Sequence, residues 1–139
     1  QDELEPNRVP DSQVQADGSR IVILDADLQG HFGGTLLING QPARFLLDTG
    51  ATSVAVSSQL AKRLQLPRGQ AYQTATANGI ATVYRSQIAE LRLGDIVLYQ
   101  IEASIVPDLA GSEILLGMSA LKQLEFAKSQ QQLQLIQRP

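Results

Sequence analysis

The sequence predicts a mainly β, single-domain protein with two short helices, and three observations lead there. Strand-like runs rich in Val, Ile, Leu, Thr and Tyr are short and numerous, and turn signals such as Asn39-Gly40, Asn78-Gly79 and Gly94-Asp95 separate them. Only two segments, 57–64 and 118–125, carry apolar residues at helical spacing. The chain has 139 residues, enough for one core of ordinary size and too few for two lobes.

Composition narrows the function classes. There is no Cys, so disulfides, thiolate metal sites and thiol nucleophiles are excluded, and the single His31 cannot build a multi-histidine metal site. A net charge of -3 gives no reason to expect nucleic acid or an anionic membrane surface as partner. No Gly-rich stretch has the spacing of a phosphate or dinucleotide cradle, and no Gly-x-Ser-x-Gly elbow is present, so no cofactor is implied. No run approaches the roughly 18 apolar residues of a spanning helix. Trp is absent and Phe and Tyr are few, which leaves the core to aliphatic side chains.

Taken in order, residues 1–18 are polar, with Pro6, Pro10 and scattered acids, and read as a loosely held arm or tether ahead of a domain spanning 19–139. Ile21-Val22-Ile23-Leu24 is a strand, after which Asp25 and Asp27 read as solvated edge residues. Gly30-His31-Phe32-Gly33-Gly34 is a turn or bulge whose histidine is satisfied by backbone groups. The strand 35–38 then meets the Asn39-Gly40 hairpin, whose two central positions favour positive φ, and Pro42 fits the start of the next strand. Ser57 is a candidate N-cap for the helix containing Leu60 and Leu64, which Leu66-Pro67 ends. Residues 70–76 and 80–88 form a long hairpin around Asn78-Gly79. Residues 89–93 and 97–106 form a second through Gly94-Asp95, with Leu91, Leu93, Val97, Ile101 and Ile105 as core. Residues 107–113 are a loop. Ile114-Leu115-Leu116-Gly117 is a buried strand ending where only glycine permits the backbone packing. The helix from Met118 turns Ser119 and Lys122 outward and Leu121 and Leu124 inward, and Phe126 and 133–136 supply the last strands. The arginines, Arg44 and Arg63 among them, are dispersed among acids and read as solvated surface.

The chain is organised around Phe45-Leu46-Leu47-Asp48-Thr49-Gly50-Ala51-Thr52-Ser53. Three large apolar residues run into the core and deliver a carboxylate, a hydroxyl and a glycine to the strand's end. A carboxylate at the mouth of a buried strand is costly unless hydrogen-bonded, which points to chemistry.

Asp48-Thr49-Gly50-Ala51 after an apolar strand resembles the active-site loop of the aspartic proteases, and the Ala after Gly resembles the retroviral type. The longer pattern resembles the bacterial single-domain, retropepsin-like aspartic proteases of clan AA. It comprises Gly30-His31-Phe32, Ile38-Asn39-Gly40, Leu47 to Thr52, Thr76-Ala77-Asn78-Gly79, Leu115-Leu116-Gly117-Met118-Ser119 and Leu133, and covers residues 25–136 in one order. The resemblance implies a closed β barrel of the acid-protease kind, with Asp48 catalytic and Thr49, Gly50, Ala51 and Thr52 supporting the loop. Thr76, Ala77, Asn78, Gly79 and Ile80 would form a flap over an extended peptide, and Leu115, Leu116 and Gly117 the structural turn of the second half.

Hydrolysis by this route needs two carboxylates sharing one proton, because like charges about 3 Å apart cannot both be ionised. One Asp-Thr-Gly is present, so the second carboxylate must come from a symmetry mate in a homodimer. The expected activity is therefore an aspartic endopeptidase, and the alternative is a catalytically weak or inactive module of the same fold that grips extended peptides. The chain starts at Gln1, which is read as loss of a preceding segment. Family resemblance alone then implies the periplasm or cell envelope, with a membrane anchor N-terminal to the chain.

Overall fold

The computed structural model describes residues 8–76 and 79–139. The elements run β1 (Asp11–Val14), β2 (Arg20–Asp25), β3 (Gly33–Ile38), β4 (Gln41–Leu47), β5 (Val54–Val56), α1 (Ser58–Arg63), β6 (Ala71–Thr76) and β7 (Gly79–Leu93). There follow β8 (Ile96–Ile105), β9 (Ile114–Leu116), α2 (Met118–Leu121), β10 (Glu125–Ser129) and β11 (Gln132–Gln137). Among the described residues no helix is long and apolar enough to cross a membrane.

The larger sheet has the order β3-β4-β9-β5-β8-β7-β6, and a further pairing of β3 with β7 joins its ends. Six strands thereby close on themselves, and β6 continues outward from β7 as the free arm of a hairpin. Closure removes the exposed edges that an open sheet of this length would present. Alternation fills the barrel: Gly34, Leu36 and Ile38 of β3 and Ala43 and Phe45 of β4 are buried, while their neighbours face outward. Phe45 is the one large aromatic side chain fully buried, among aliphatic residues including Leu36, Ile88, Leu91, Ile101 and Ile114.

Both hairpin signals with complete turns take the expected form. Ile38 pairs with Gln41 across Asn39 and Gly40, whose φ values of 50° and 85° are both left-handed. The two-residue loop at Gly94-Asp95 is equally tight, with Leu93 opposite Ile96. All five residues expected to carry the core of that hairpin, Leu91, Leu93, Val97, Ile101 and Ile105, are buried. In α1, the Ser57 hydroxyl accepts from the Leu60 N–H at 3.1 Å, the capping bond its sequence implies.

A second, four-stranded sheet has the order β1-β2-β11-β10. Its Val22, Leu24, Leu133 and Leu135 join the barrel core. The strand β1 lies inside the stretch read as a loosely held arm. Ser12 Oγ donates to Asp95 Oδ2 and accepts from the Asp95 N–H, both at 2.7 Å, and Arg8 pairs with Asp25 at 3.0 Å. From residue 8 onward the polar arm is thus attached by hydrogen bonds, which a reading of hydrophobic periodicity does not register.

Three further expectations are revised. Residues 80–88 and 89–93 belong to one 15-residue strand, β7, because its two halves pair with different partners, β6 and β8, without interruption. Gly33 and Gly34 are strand residues of β3 and not part of a turn. The second helix has only four residues, since β10 begins at Glu125 in register with Ile136, and Ser119 faces inward. Its hydroxyl accepts from the Val54 N–H at 3.2 Å and donates to the Glu102 carbonyl at 2.7 Å, tying α2 to β5 and β8.

Ser119→Ala therefore strips the buried Val54 N–H and the part-buried Glu102 carbonyl of a partner at once. It is expected to lower the unfolding free energy by about 1–3 kcal/mol, read from urea denaturation at unchanged m-value.

Candidate active site

The site is built where β4 ends. The strand pairs in parallel with β9 as far as Leu47 and Leu116, and the Asp48 N–H makes one last bond to the Leu116 carbonyl at 3.1 Å. The chain then turns on the carboxylate itself. Asp48 Oδ1 accepts the Gly50 N–H at 2.9 Å and the Asp48 carbonyl accepts the Ala51 N–H at 3.2 Å, a turn that Asp-x-Gly favours.

Beyond Ala51 the chain crosses the end of β9 to form β5 on its other side, so that β9 lies between two strands consecutive in sequence. The crossing is very close. A Cβ at Gly117 would lie 2.1 Å from the Ser53 carbonyl oxygen and 2.7 Å from that of Ala51, distances no side chain can occupy. The Met118 N–H donates to the same Ala51 carbonyl at 2.8 Å. Thus Leu116 holds the loop at its start and Met118 holds it three residues later, with Gly117 beneath. Leu115 pairs with both Leu46 and Ala55. Gly50 is less crowded: a Cβ there would meet only the Asp48 Oδ1, at 3.3 Å. Its contribution is the N–H that orients the carboxylate.

Asp48 is half-buried, Thr49, Gly50 and Thr52 are exposed, and Ala51 is half-buried. Among the described residues no cation lies within ion-pair distance of Asp48, and its Oδ2 accepts no hydrogen bond. One oxygen is thus fixed by a backbone donor while the other remains available to water or to a second acid, the arrangement required of a general base.

The residue after Thr52 carries a link that the sequence reading passed over. Ser53 Oγ and Ser104 Oγ are buried and 2.6 Å apart, and Ser104 Oγ lies 3.0 Å from the Tyr72 hydroxyl on β6. A hydrogen-bonded chain therefore joins the outer hairpin to the Asp48 loop. Only the alternation of β8, which sets Ser104 between buried Ala103 and Ile105, could have hinted that its hydroxyl faces the opposite side from the core.

Other singled-out residues lie as follows. In the β6–β7 hairpin Thr76 is paired with Gly79, so Gly79 belongs to the ladder; Gly79 and Ile80 are exposed, and Ala77 and Asn78 lie outside the described residues. His31 sits in an exposed turn, its N–H donating to Asp27 Oδ1 at 2.8 Å and its Nδ1 4.0 Å from Asp27 Oδ2. Asp25 is held by Arg8 and Gln132. Among the described residues no group of three or more acids and histidines is placed to hold a metal.

Residues 35–123 match the family described as gag-polyprotein putative aspartyl protease. The chain belongs to this family. A curated relative from Sinorhizobium sp, named as an uncharacterized protein in the cobV 5' region, is 31% identical over 116 residues, which cover 81% of this chain and 50% of the relative. The chain thus spans half the length of that relative. Its fold is similar to a retropepsin-like aspartic protease from Rickettsia conorii, with a TM-score of 0.70 at 22% identity over 91% of this chain and 96% of the other. The EIAV protease, solved in complex with the inhibitor HBY-793, gives a TM-score of 0.50 at 22% identity over 68% of this chain and 88% of that one. The closed barrel with two short helices is accordingly a retropepsin-like fold.

The crossing at Gly117 yields a contrast between two glycines. Gly117→Ala forces backbone against backbone and is expected to cost about 3 kcal/mol, the upper end for overpacking. Gly50→Ala meets only a side-chain oxygen, so its thermal midpoint should lie nearer the parent's. A smaller loss for Gly117→Ala than for Gly50→Ala would contradict this account of the loop.

Proposed function

We propose that the chain is an aspartic endopeptidase, active as a homodimer, that hydrolyses peptide bonds in extended protein segments. One observation carries this reading: in a chain of the aspartyl protease family, Asp48 ends a buried strand with Oδ1 held by the Gly50 N–H and Oδ2 open. The sequence contains a single Asp-Thr-Gly, so the reaction needs Asp48 of a second copy, related by a twofold axis.

In this scheme one carboxylate of the pair is charged and takes a proton from water, whose oxygen attacks the scissile carbonyl carbon. The protonated mate donates a hydrogen bond to the carbonyl oxygen and stabilises the charge developing on it. Collapse of the tetrahedral intermediate returns a proton to the leaving amine, and the dyad again holds one proton. In this scheme the exposed Thr49 would bond across the twofold axis to the partner loop, a role carried over from the family resemblance. The β6–β7 hairpin acts as the flap, its residues 76–80 giving backbone hydrogen bonds to an extended substrate.

Three measurements test the scheme. Asp48→Asn retains size and much of the hydrogen-bonding capacity but removes both ionisable halves of the dyad, so cleavage of a peptide library should fall about 10³-fold or more while the protein stays folded. Cleavage equal to the parent's would shift the reading to peptide binding without catalysis. Specific activity should also fall on dilution through the dimer dissociation constant, and should follow a bell-shaped pH profile on the acidic side of neutrality. A monomer of undiminished specific activity would exclude the shared dyad.

A further inference from the structure

The β6–β7 hairpin leaves the barrel at a definite point. β8 pairs with β7 from Leu93 as far as Tyr84, which stands opposite Ile105, and residues 79–83 beyond it pair with β6 alone. Tyr72 stands opposite Val83, in the first pair past that point. Its side chain does not follow the hairpin outward, because its hydroxyl lies 3.0 Å from Ser104 Oγ, back on β8. Neighbouring strands are about 4.8 Å apart, so the bond runs from β6 over β7 to β8, a reach that tyrosine has and a short hydroxyl side chain lacks. The Arg85 guanidinium lies 4.8 Å from the centre of the Tyr72 ring and 3.7 Å from the Glu102 carboxylate, which holds the ring against β7. Of the side chains described on β6, only that of Tyr72 hydrogen-bonds beyond β7.

The proton count gives this bond a direction. Each hydroxyl has one proton to donate and lone pairs to accept. Ser53 Oγ is buried and has Ser104 Oγ as its one partner among the described residues, so the arrangement that leaves no buried proton without an acceptor runs from Ser53 to Ser104 to Tyr72. Tyr72 is thus the acceptor on which both buried serines depend. At the inner end, Ser53 is the residue whose carbonyl packs against Gly117, so the chain rests on the same crossing that fixes the Asp48 loop.

We propose that Tyr72 is a positioning residue for the reaction at Asp48: through Ser104 and Ser53 it acts as a strut that sets the height of the flap hairpin above the carboxylate. This rests on the endopeptidase reading. A flap held at its root closes on an extended substrate with the scissile bond at one fixed distance from Asp48. Without the strut the hairpin still grips the substrate, but the grip no longer determines where the scissile carbonyl lies.

The test combines kinetics with amide spectra. Tyr72→Phe keeps the ring and removes the hydroxyl, and it is expected to lower kcat about tenfold with KM within about twofold of the parent's, since orientation is lost and binding is kept. Ser104→Ala cuts the chain in the middle and should match it, and the protein carrying both changes should be no slower than either alone. A raised KM at unchanged kcat, or losses that multiply in the double variant, overturns the proposal. In the Asp48→Asn background, Tyr72→Phe should also shift the amides of residues 48–53. Tyr84→Phe removes a hydroxyl with no hydrogen bond among the described residues from the neighbouring strand, and should leave those amides in place. Unmoved amides in Tyr72→Phe, or equal shifts in Tyr84→Phe, overturn the coupling. A parent that cleaves no peptide removes the endopeptidase reading instead, and the amide shifts still decide whether Tyr72 sets the loop.

Discussion

The structure depends on one crossing. The Asp48 loop must pass over the exit of β9 closely enough for the Ser53 and Ala51 carbonyls to lie against Gly117, where any side chain would collide with them. Because β9 lies between β4 and β5, the parallel β4–β9 pairing and the antiparallel β5–β9 contact both converge on the turn that carries the carboxylate. The Asp48 loop is therefore held at both ends by backbone hydrogen bonds, from the Asp48 N–H to the Leu116 carbonyl and from the Met118 N–H to the Ala51 carbonyl.

The same crossing explains the polar groups buried around it. A strand as short as β5 has few ladder bonds of its own, so the Ser119 hydroxyl accepts from the Val54 N–H and donates a hydrogen bond to the Glu102 carbonyl. Ser53 and Ser104 satisfy each other one residue earlier, and Tyr72 extends that chain to the outer hairpin. Buried hydroxyls here are structural connectors whose partners are all internal. Among the described residues Thr35 Oγ1, on β3, is the exception.

The second sheet has a different relation to the barrel. It adds Val22, Leu24, Leu133 and Leu135 to the core, so the chain's ends complete the apolar interior instead of merely flanking it. Ser12 and Arg20 fasten this sheet to the Asp95 turn, the latter through a 2.8 Å bond to its carbonyl. Those contacts span more than seventy residues of sequence.

Local chemistry was legible in the sequence. Positive φ at Asn39 and Gly40, the Ser57 cap and the tight Gly94 turn each follow from the residues within a few positions of the feature, as does the turn that Asp48 and Gly50 make between them. What only the tertiary structure decided is pairing at a distance: the insertion of β9 between β4 and β5, the closure of β3 on β7, the inward rotation of Ser119, and the docking of β1 through Ser12. In each case the deciding partner lies far along the chain, and helical or strand periodicity carries no information about it. A four-residue helix has too few turns for its apolar spacing to fix a face, so Ser119 goes where Val54 needs an acceptor. Ser12 is polar in either setting, and composition cannot tell a hydroxyl that meets water from one that meets Asp95.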